Sequence, residues 1–182
     1  ILCNTADDGE LEREYLNDLR ERGVDGIIVS PLEENYPHFK RLADAGFPFV
    51  LMGSRIPGTE VTRIVADDRA EIRNAIRELA ADADLVLTTG GTGVGPRDVT
   101  PEATEDVLER RIPGLGEEMR RRSLEVTPNA VLSRATAGIL RRTLIVNLPG
   151  SPKGAVECFD FVRGAIRHAL LLLTSESADC AV

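Results

Sequence analysis

The sequence predicts an α/β fold in which a mostly parallel sheet carries helices on both faces, a three-layer α/β/α arrangement. Short β-branched runs such as Ile27 to Val29 have the length and composition of buried strands. They alternate with longer segments whose apolar residues recur at helical spacing, as in Glu10 to Arg22. Turns rich in glycine and proline separate the two kinds of segment. Because each helix would serve as the crossover between two strands, the strands are expected to pair in parallel.

The first 65 residues open with a short apolar run and continue with alternating helices and strands. The predicted elements are, in order, the run Ile1 to Cys3, a helix over Glu10 to Arg22, a strand over Ile27 to Val29, a helix over Tyr36 to Ala45, a strand over Phe49 to Met52 and a strand over Glu60 to Val65.

The rest of the chain keeps the same alternation. Asp68 is a good N-cap for a helix that starts at about Ala70, and Thr100 is a plausible N-cap for a helix that starts at Pro101. The other predicted elements are a strand over Asp84 to Leu87, helices over Leu115 to Leu124 and Asn129 to Leu132, a strand over Thr143 to Asn147 and a long helix over Ala155 to Leu173.

Composition excludes several classes of protein. The formal net charge of −8 and the pI of about 4.9 argue against nucleic-acid binding. Three cysteines without CxxC spacing argue against a disulfide framework or a zinc site and are typical of a reducing, cytoplasmic setting. The apolar run Ala169 to Leu173 is too short to span a bilayer, so no membrane contact is expected.

A glycine-rich loop follows the predicted strand that ends at Leu87. Glycines at 90, 91 and 93 would let the backbone approach an anion closely, and their N–H groups can cradle phosphate oxygens. Arg97 offers a planar fork that suits phosphate, and Asp98 could hold Mg²⁺ against nucleotide oxygens. The spacing fits neither GxGxxG nor GxxxxGK[ST]. Taken alone, the three glycines are equally consistent with an ordinary tight turn.

The wider sequence around this loop resembles the molybdopterin-binding family, and above all its molybdopterin adenylyltransferases. The block from Asp84 to Thr104 carries the signature, and three later segments follow in family order. These are Ile112 to Arg120, Leu132 to Arg134 with Gly138 and Ile139, and Asn147 to Lys153. The likeness runs from about residue 65 to 173.

The resemblance implies a reaction in molybdenum cofactor biosynthesis. Adenylyltransferases of this family transfer AMP from Mg-ATP to the terminal phosphate of molybdopterin and release pyrophosphate. By the resemblance, Asp98 is the catalytic, metal-linked acid and Asp67 is a second acid near the nucleotide. Asp68, one residue later, is the alternative to Asp67. For both Asp67 and Asp68, capping of the following helix is as good an interpretation as catalysis. The residues that would bind substrate are Thr89, Gly90, Gly91, Thr92, Gly93, Arg97, Ser133, Arg134, Pro149, Gly150, Ser151 and Pro152.

The front of the chain lacks the strand and Ser-Asp loop with which this family usually begins. Residues 1–60 instead resemble part of the amino-terminal lobe of lactose-repressor-type periplasmic sugar-binding proteins, with Val24 to Ile28 the best-matching piece. We therefore predict a chimera of a fragment over 1–60 and a molybdopterin-binding-like domain over 61–182. Both parts consist of βα units, so they could merge into one globular unit whose sheet continues across the junction.

Four functions remain open at this point. The first is adenylyl transfer from ATP to molybdopterin with Mg²⁺, in a homo-oligomer that the resemblance suggests is a trimer. The second is a module that binds the pterin or a nucleotide phosphate without turnover. The third is a folded chimera without activity. The weakest is a sugar sensor, because the second lobe of such a sensor is absent.

Overall fold

The computed structural model describes residues 3–53, 55–59 and 61–174. The chain divides into two compact units, Ile1–Val65 and Ala66–Val182, which are described separately below. Of the apolar run predicted at the start, Ile1 and Leu2 lie outside the described residues, and Cys3 belongs to no helix or strand. Within the described ranges, no helix is both long and apolar enough to cross a membrane.

The first unit contains a three-stranded parallel sheet. Strands β1 (Ile27–Val29), β2 (Phe49–Met52) and β3 (Thr62–Ile64) lie in the order β1-β2-β3. Helices α1 (Gly9–Glu21) and α2 (Tyr36–Asp44) supply apolar side chains to a core that also contains the inward residues of β2. The buried members of this core are Leu16, Phe39, Leu42, Phe49, Leu51 and Ile56.

The second unit contains a four-stranded mixed sheet in the order β4-β7-β6-β5. Its strands are β4 (Leu85–Thr89), β5 (Arg110–Arg111), β6 (Ala137–Leu140) and β7 (Thr143–Leu148). Strand β7 pairs in parallel with β4 and antiparallel with β6, and all six of its residues are buried. It therefore forms the centre of this unit.

Helices cover both faces of the mixed sheet. Leu144 and Val146 point to a cluster with α5 (Pro113–Ser123) and α6 (Pro152–Thr174). Ile145, which points the opposite way because side chains alternate along a strand, packs in a cluster with residues of α3 (Arg69–Leu79) and the segment after α4 (Thr100–Glu105). The predicted three-layer α/β fold is confirmed.

Several predicted details need correction. The described strands form two sheets, so the sheet does not continue across the junction. Strands β5 and β6 were not predicted. Thr100 is the first residue of α4 and not its N-cap, which is Val99 without a side-chain hydrogen bond. Helix α6 begins at Pro152, three residues earlier than predicted, because proline suits a first helical turn and the Ser151 hydroxyl accepts a hydrogen bond from Gly154 N at 3.2 Å.

Helix α5 ends in a cluster of charged side chains. Hydrogen bonds from Arg121 and then Arg122 lower the pKa of Glu118 to about 2. The three side chains lie at i, i+3 and i+4, where neighbours on a helix surface meet. A 3-10 turn over Pro128–Leu132 follows α5 and leads toward β6.

Candidate functional site

Two loops lie side by side at the carboxyl ends of the parallel strands β4 and β7. Gly90 N donates a hydrogen bond to Leu148 O at 3.1 Å, and the Thr89 hydroxyl donates one to Pro149 O at 2.9 Å. A Cβ placed on Gly150 would lie 3.2 Å from the Cα of Gly90. The backbones of the two loops therefore touch, and a side chain at position 150 would push them apart.

Gly91 is held in a conformation and a space that suit only glycine. Its φ of +63° lies in the left-handed region, and a Cβ there would come within 2.4 Å of the Thr100 hydroxyl oxygen. Thr100 N also donates to Gly91 O at 3.1 Å. The start of α4 is thus packed directly against the glycine loop, which explains why Thr100 is buried.

Asp98 closes a short turn at the end of the glycine loop. Its Oδ2 accepts a hydrogen bond from Gly95 N at 2.7 Å, while Asp98 N donates to Gly95 O at 3.0 Å. A Cβ on Gly93 or Gly95 would lie within 2.9 Å of the same carboxylate oxygen. Two glycines therefore make room for the carboxylate, which is half-buried against the loop.

Arg134, which lies far from the glycine loop in the sequence, donates hydrogen bonds to it. Its Nε donates to Gly93 O at 2.6 Å, its Nη2 to Asp98 O and its Nη1 to Glu102 Oε1. Its backbone N–H donates to Thr92 O at 2.8 Å. The resemblance placed Arg134 among the substrate-binding residues, and the structure directs its guanidinium onto the loop.

Asn147 holds the strands beneath the loop and was not predicted to belong to the site. Its amide donates to the hydroxyls of Thr88 and Thr104, at 2.8 and 2.9 Å, and its Oδ1 accepts from Thr136 N at 3.3 Å. It is fully buried. Two signals were present in the sequence: Asn147 begins a segment that resembles the family, and it is a polar residue directly after the apolar run Leu144 to Val146, a pattern that indicates a buried hydrogen-bond network.

A cleft of about 440 Å³ opens beside the two loops. Its lining includes eight of the predicted site residues, namely Gly91, Thr92, Gly93, Asp98, Ser133, Pro149, Gly150 and Ser151. The predicted residues that do not line it are Thr89, Gly90, Arg97, Arg134, Pro152 and Asp67. The far wall was not predicted and comes from α5, α6 and the 3-10 turn with its N-cap. Its polar members are Arg120, Ser123, Thr127, Asn129 and Glu157.

Gly91, Thr92 and Gly93 of the loop line this cleft. Within the described residues, no hydrogen bond uses the backbone N–H groups of Gly91, Thr92 or Gly93. Arg120 is the cationic residue in the lining, and its Nη1 already donates to Ser133 O and Ala135 O at 3.3 and 2.9 Å. Backbone N–H groups in a glycine-rich turn are suited to phosphate oxygens, so these three groups are candidates to bind an anion in the cleft.

The fit of Mg²⁺ rests on Asp98. Among the described residues, no group of three or more His, Cys, Asp or Glu side chains is placed to hold a metal ion. In nucleotide sites Mg²⁺ is usually bound by one or two carboxylates together with substrate phosphates and water. Asp98 and Glu157 are the two carboxylates in the cleft lining, and Glu157 pairs with Lys153 at 3.8 Å. This set suits an ion that arrives with the nucleotide and does not suit an ion held by the protein alone.

The two neighbouring acids before α3 differ in their contacts. Asp68 is the N-cap, and one of its oxygens accepts from Ala70 N at 2.8 Å and from Glu71 N at 3.0 Å. Asp67 is exposed. Capping therefore accounts for Asp68, which leaves Asp67 as the candidate for a second acidic function.

Relatives of known class match the part of the chain that forms this site. The molybdopterin adenylyltransferase of Helicobacter pylori is 48% identical over 112 residues, which cover 60% of this chain and 64% of that protein. The one from Escherichia coli is 47% identical over 106 residues, which cover 57% of this chain and 54% of that protein. The chain thus spans somewhat more than half the length of these curated relatives.

Solved structures show the same fold. The molybdopterin biosynthesis enzyme MoaB from Thermus thermophilus is 42% identical with a TM-score of 0.60, covering 82% of this chain and 94% of that one. The Mog protein from Mycobacterium ulcerans is 36% identical with a TM-score of 0.60, covering 82% and 97%. A family model described as "Probable molybdopterin binding domain" matches residues 57–168, well over half of the chain. The resemblance predicted for residues 65–173 is confirmed, and the chain belongs to the molybdopterin-binding family.

Proposed function

We propose that the cleft binds molybdopterin and ATP and that the chain transfers AMP between them. The observation that carries this proposal is the cleft at the carboxyl ends of β4 and β7, lined by Asp98 and by a glycine loop in which the N–H groups of residues 91–93 make no hydrogen bond among the described residues. Relatives that share about half of the matched residues are molybdopterin adenylyltransferases. An open α/β sheet places its ligand at this edge of the strands.

In the proposed reaction an oxygen of the terminal phosphate of molybdopterin attacks the α-phosphorus of ATP. The new P–O bond forms as the bond from that phosphorus to the bridging oxygen breaks, and pyrophosphate leaves. The N–H groups of Gly91, Thr92 and Gly93 would donate to phosphate oxygens and orient them, which is the main contribution a protein makes to such a transfer. Mg²⁺ bound with the nucleotide would neutralise phosphate charge.

Asp98 has a defined place in this proposal. A carboxylate beside bound phosphates is repulsive unless a cation lies between them. Asp98 is therefore proposed to fix the ion that accompanies ATP, while its Oδ2 keeps the hydrogen bond to Gly95 N. Asp67 is proposed as a second acid that acts near the nucleotide, although it does not line this cleft. Arg97 is exposed and is proposed to reach the outer phosphates.

The central experiment combines calorimetry of Mg-ATP binding with a pyrophosphate-release assay in the presence of molybdopterin. We expect Asp98→Asn to lower the rate of release on the order of 10²–10³-fold, the usual effect of removing one electrostatic group from such a site. Asp160→Asn is the matched control, because Asp160 lies on the surface of α6 in a pair with Arg163. Full activity of Asp98→Asn would contradict the assignment.

A binding module without turnover is the second candidate. It is favoured by the position of Asp67 outside the cleft lining and by the partial coverage of the curated relatives. Calorimetry that detects Mg-ATP, combined with no pyrophosphate release, would select this candidate. No binding of ATP or molybdopterin would leave a folded chain without activity, and binding of a monosaccharide would select the sugar sensor.

The mosaic origin of the first unit also stays a proposal. The division of the chain at residues 65 and 66 supports it. None of the relatives reported above is a sugar-binding protein or a repressor, and the span matched to MoaB is longer than the second unit, so it extends into the first. Separate fragments predict two unfolding transitions in calorimetry of the whole chain, and a single cooperative transition would contradict the mosaic.

A homo-oligomer, with the trimer suggested by the resemblance, is the proposed assembly. Exposed apolar side chains of the second unit support it, among them Val126, Val131 and Leu132, because exposed apolar clusters often mark interfaces. Sedimentation equilibrium of the purified chain tests the assembly, and a monomer at high concentration would contradict it.

A further inference from the structure

Arg134 binds both ends of the most exposed part of the glycine loop. Its guanidinium contacts Gly93 O before this segment and Asp98 O after it, while residues 94–97 between them are exposed. Its backbone N–H adds a third contact, at Thr92 O. We propose that Arg134 is a positioning residue which sets the loop N–H groups and the Asp98 carboxylate in the geometry for phosphate transfer. This inference rests on the proposed function.

The contacts explain why arginine is needed at this position. Three different nitrogens of the guanidinium donate to three separate acceptors, which are Gly93 O, Asp98 O and Glu102 Oε1. A lysine ammonium is a single point of charge on a flexible stem and does not reproduce a planar fork. The loop would lose at least one of its two anchors in Arg134→Lys.

The contact with Glu102 indicates that Arg134 positions the loop and does not bind phosphate directly. Its Oε1 accepts from the guanidinium, and its Oε2 is buried without a hydrogen-bond partner among the described residues. The positive charge of Arg134 is therefore paired with the Glu102 carboxylate in a half-buried position, and its guanidinium nitrogens already have three acceptors. Arg134 is also absent from the lining of the cleft. We therefore infer that it influences transfer through the residues that it holds.

The first test measures pyrophosphate release and Mg-ATP binding in the same variants. We expect Arg134→Lys to lower kcat by about 10²-fold, as a displacement of about 1 Å at a reacting group does. The Kd of Mg-ATP should change much less. Arg163→Lys is the matched control, since Arg163 pairs with Asp160 on the exposed surface of α6. Equal losses in kcat and Kd would overturn the proposal in favour of a direct ligand contact.

Two further readouts separate positioning from general stability. Guanidinium added at low concentration should restore part of the activity of Arg134→Ala, whereas ammonium should not. Adding Arg134→Lys to Asp98→Asn should cause a smaller loss than Arg134→Lys causes alone, because the carboxylate is already gone and only the loop N–H groups still depend on Arg134. Additive losses and no rescue would mean that Arg134 only stabilises the fold.

Hydrogen exchange makes the inference independent of activity. The amide of Gly95 donates to Asp98 Oδ2, so its exchange reports on the turn that Arg134 anchors. We expect faster exchange in residues 92–98 of Arg134→Lys, and a smaller change in the same direction for Glu102→Gln, with exchange in β7 unchanged. If the unmodified protein releases no pyrophosphate, the proposed function fails while this measurement still decides the positioning role. Unchanged exchange in the loop would overturn it.

Discussion

Replacement of Gly91 by alanine tests the packing between the glycine loop and α4. The new Cβ would lie 2.4 Å from the Thr100 hydroxyl oxygen and 3.4 Å from the Thr100 Cβ. The backbone would also have to keep a φ of +63° with a side chain present. Both effects act on the folded state, so Gly91→Ala should unfold more easily than the unmodified protein.

The size of the effect can be estimated from these two contributions. The left-handed conformation costs an L-residue about 1–2 kcal/mol relative to glycine. An added methyl group in a tightly packed site costs about 1–3 kcal/mol through forced displacement. We therefore expect Gly91→Ala to lower the free energy of unfolding by roughly 2–5 kcal/mol, a large part of the ~5–15 kcal/mol typical of a folded domain.

Urea unfolding followed by circular dichroism measures this change as a shift of the midpoint. Thr100→Ala removes the oxygen against which the new methyl group would press. The double variant should therefore be more stable than the sum of the two single losses predicts, by about 1–3 kcal/mol. Gly164→Ala is the control, because a Cβ at Gly164 in α6 meets nothing within 4 Å.

Either of two results would contradict the proposed clash between a side chain at position 91 and Thr100. One is a urea midpoint of Gly91→Ala that is no lower than the midpoint of Gly164→Ala, which would mean that the loop accommodates the methyl group without loss of stability. The other is strict additivity of Gly91→Ala and Thr100→Ala, which would locate the strain somewhere other than this contact. If Gly91→Ala is destabilised but the double variant is as stable as Thr100→Ala alone, the left-handed backbone conformation contributes a negligible part of the loss.

Three other predictions concern stability and the acids around the site. Asn147→Ala should cost about 2–4 kcal/mol in urea unfolding, because it leaves the buried Thr104 hydroxyl, the half-buried Thr88 hydroxyl and the Thr136 N–H without this partner. A loss below about 1 kcal/mol would contradict this. The pKa of Glu118 in the folded state is depressed to about 2, so its contribution to stability is present above pH ~4.5 and is lost as the pH falls toward 2. The Tm of the unmodified protein should therefore fall further over that range than the Tm of Glu118→Gln, and parallel curves would argue against it. Asp68→Ala should cost about 1 kcal/mol through loss of the cap, whereas Asp67→Ala should leave stability unchanged and lower pyrophosphate release; the reverse pattern would exchange their roles.

The sequence predicted best those helices and strands whose formation depends on residues close to one another in the chain. Strand β2 has the predicted limits, and Asp68 caps α3 as expected, because β-branched composition and capping act over a few residues. Strand β6 was missed because its hairpin with β7 turns at Arg141, whose φ is +54°. Such turns usually carry Gly, Asn or Asp, so arginine there gave no signal.

In the candidate site, too, the contiguous features were predicted and the contacts between distant residues were not. The glycine loop and the loop from Pro149 to Ser151 were predictable because each is a contiguous motif. The contact of Arg134 with Glu102 joins residues 32 positions apart, and that of Asn147 with Thr88 joins residues 59 positions apart. Only the folded chain brings such pairs together, so no spacing rule identifies them.

Charge constrains how the cleft can bind the proposed substrates. The chain carries a net charge of −8, and Asp98 and Glu157 both line the cleft. Phosphate groups would be repelled by these carboxylates. The guanidinium of Arg120 is partly engaged by backbone carbonyls. Attraction must therefore come from oriented N–H groups of the loop and from a cation that accompanies the nucleotide. In the proposed function both act through the glycine loop, so the residues that anchor it would determine how accurately the phosphates are placed for transfer.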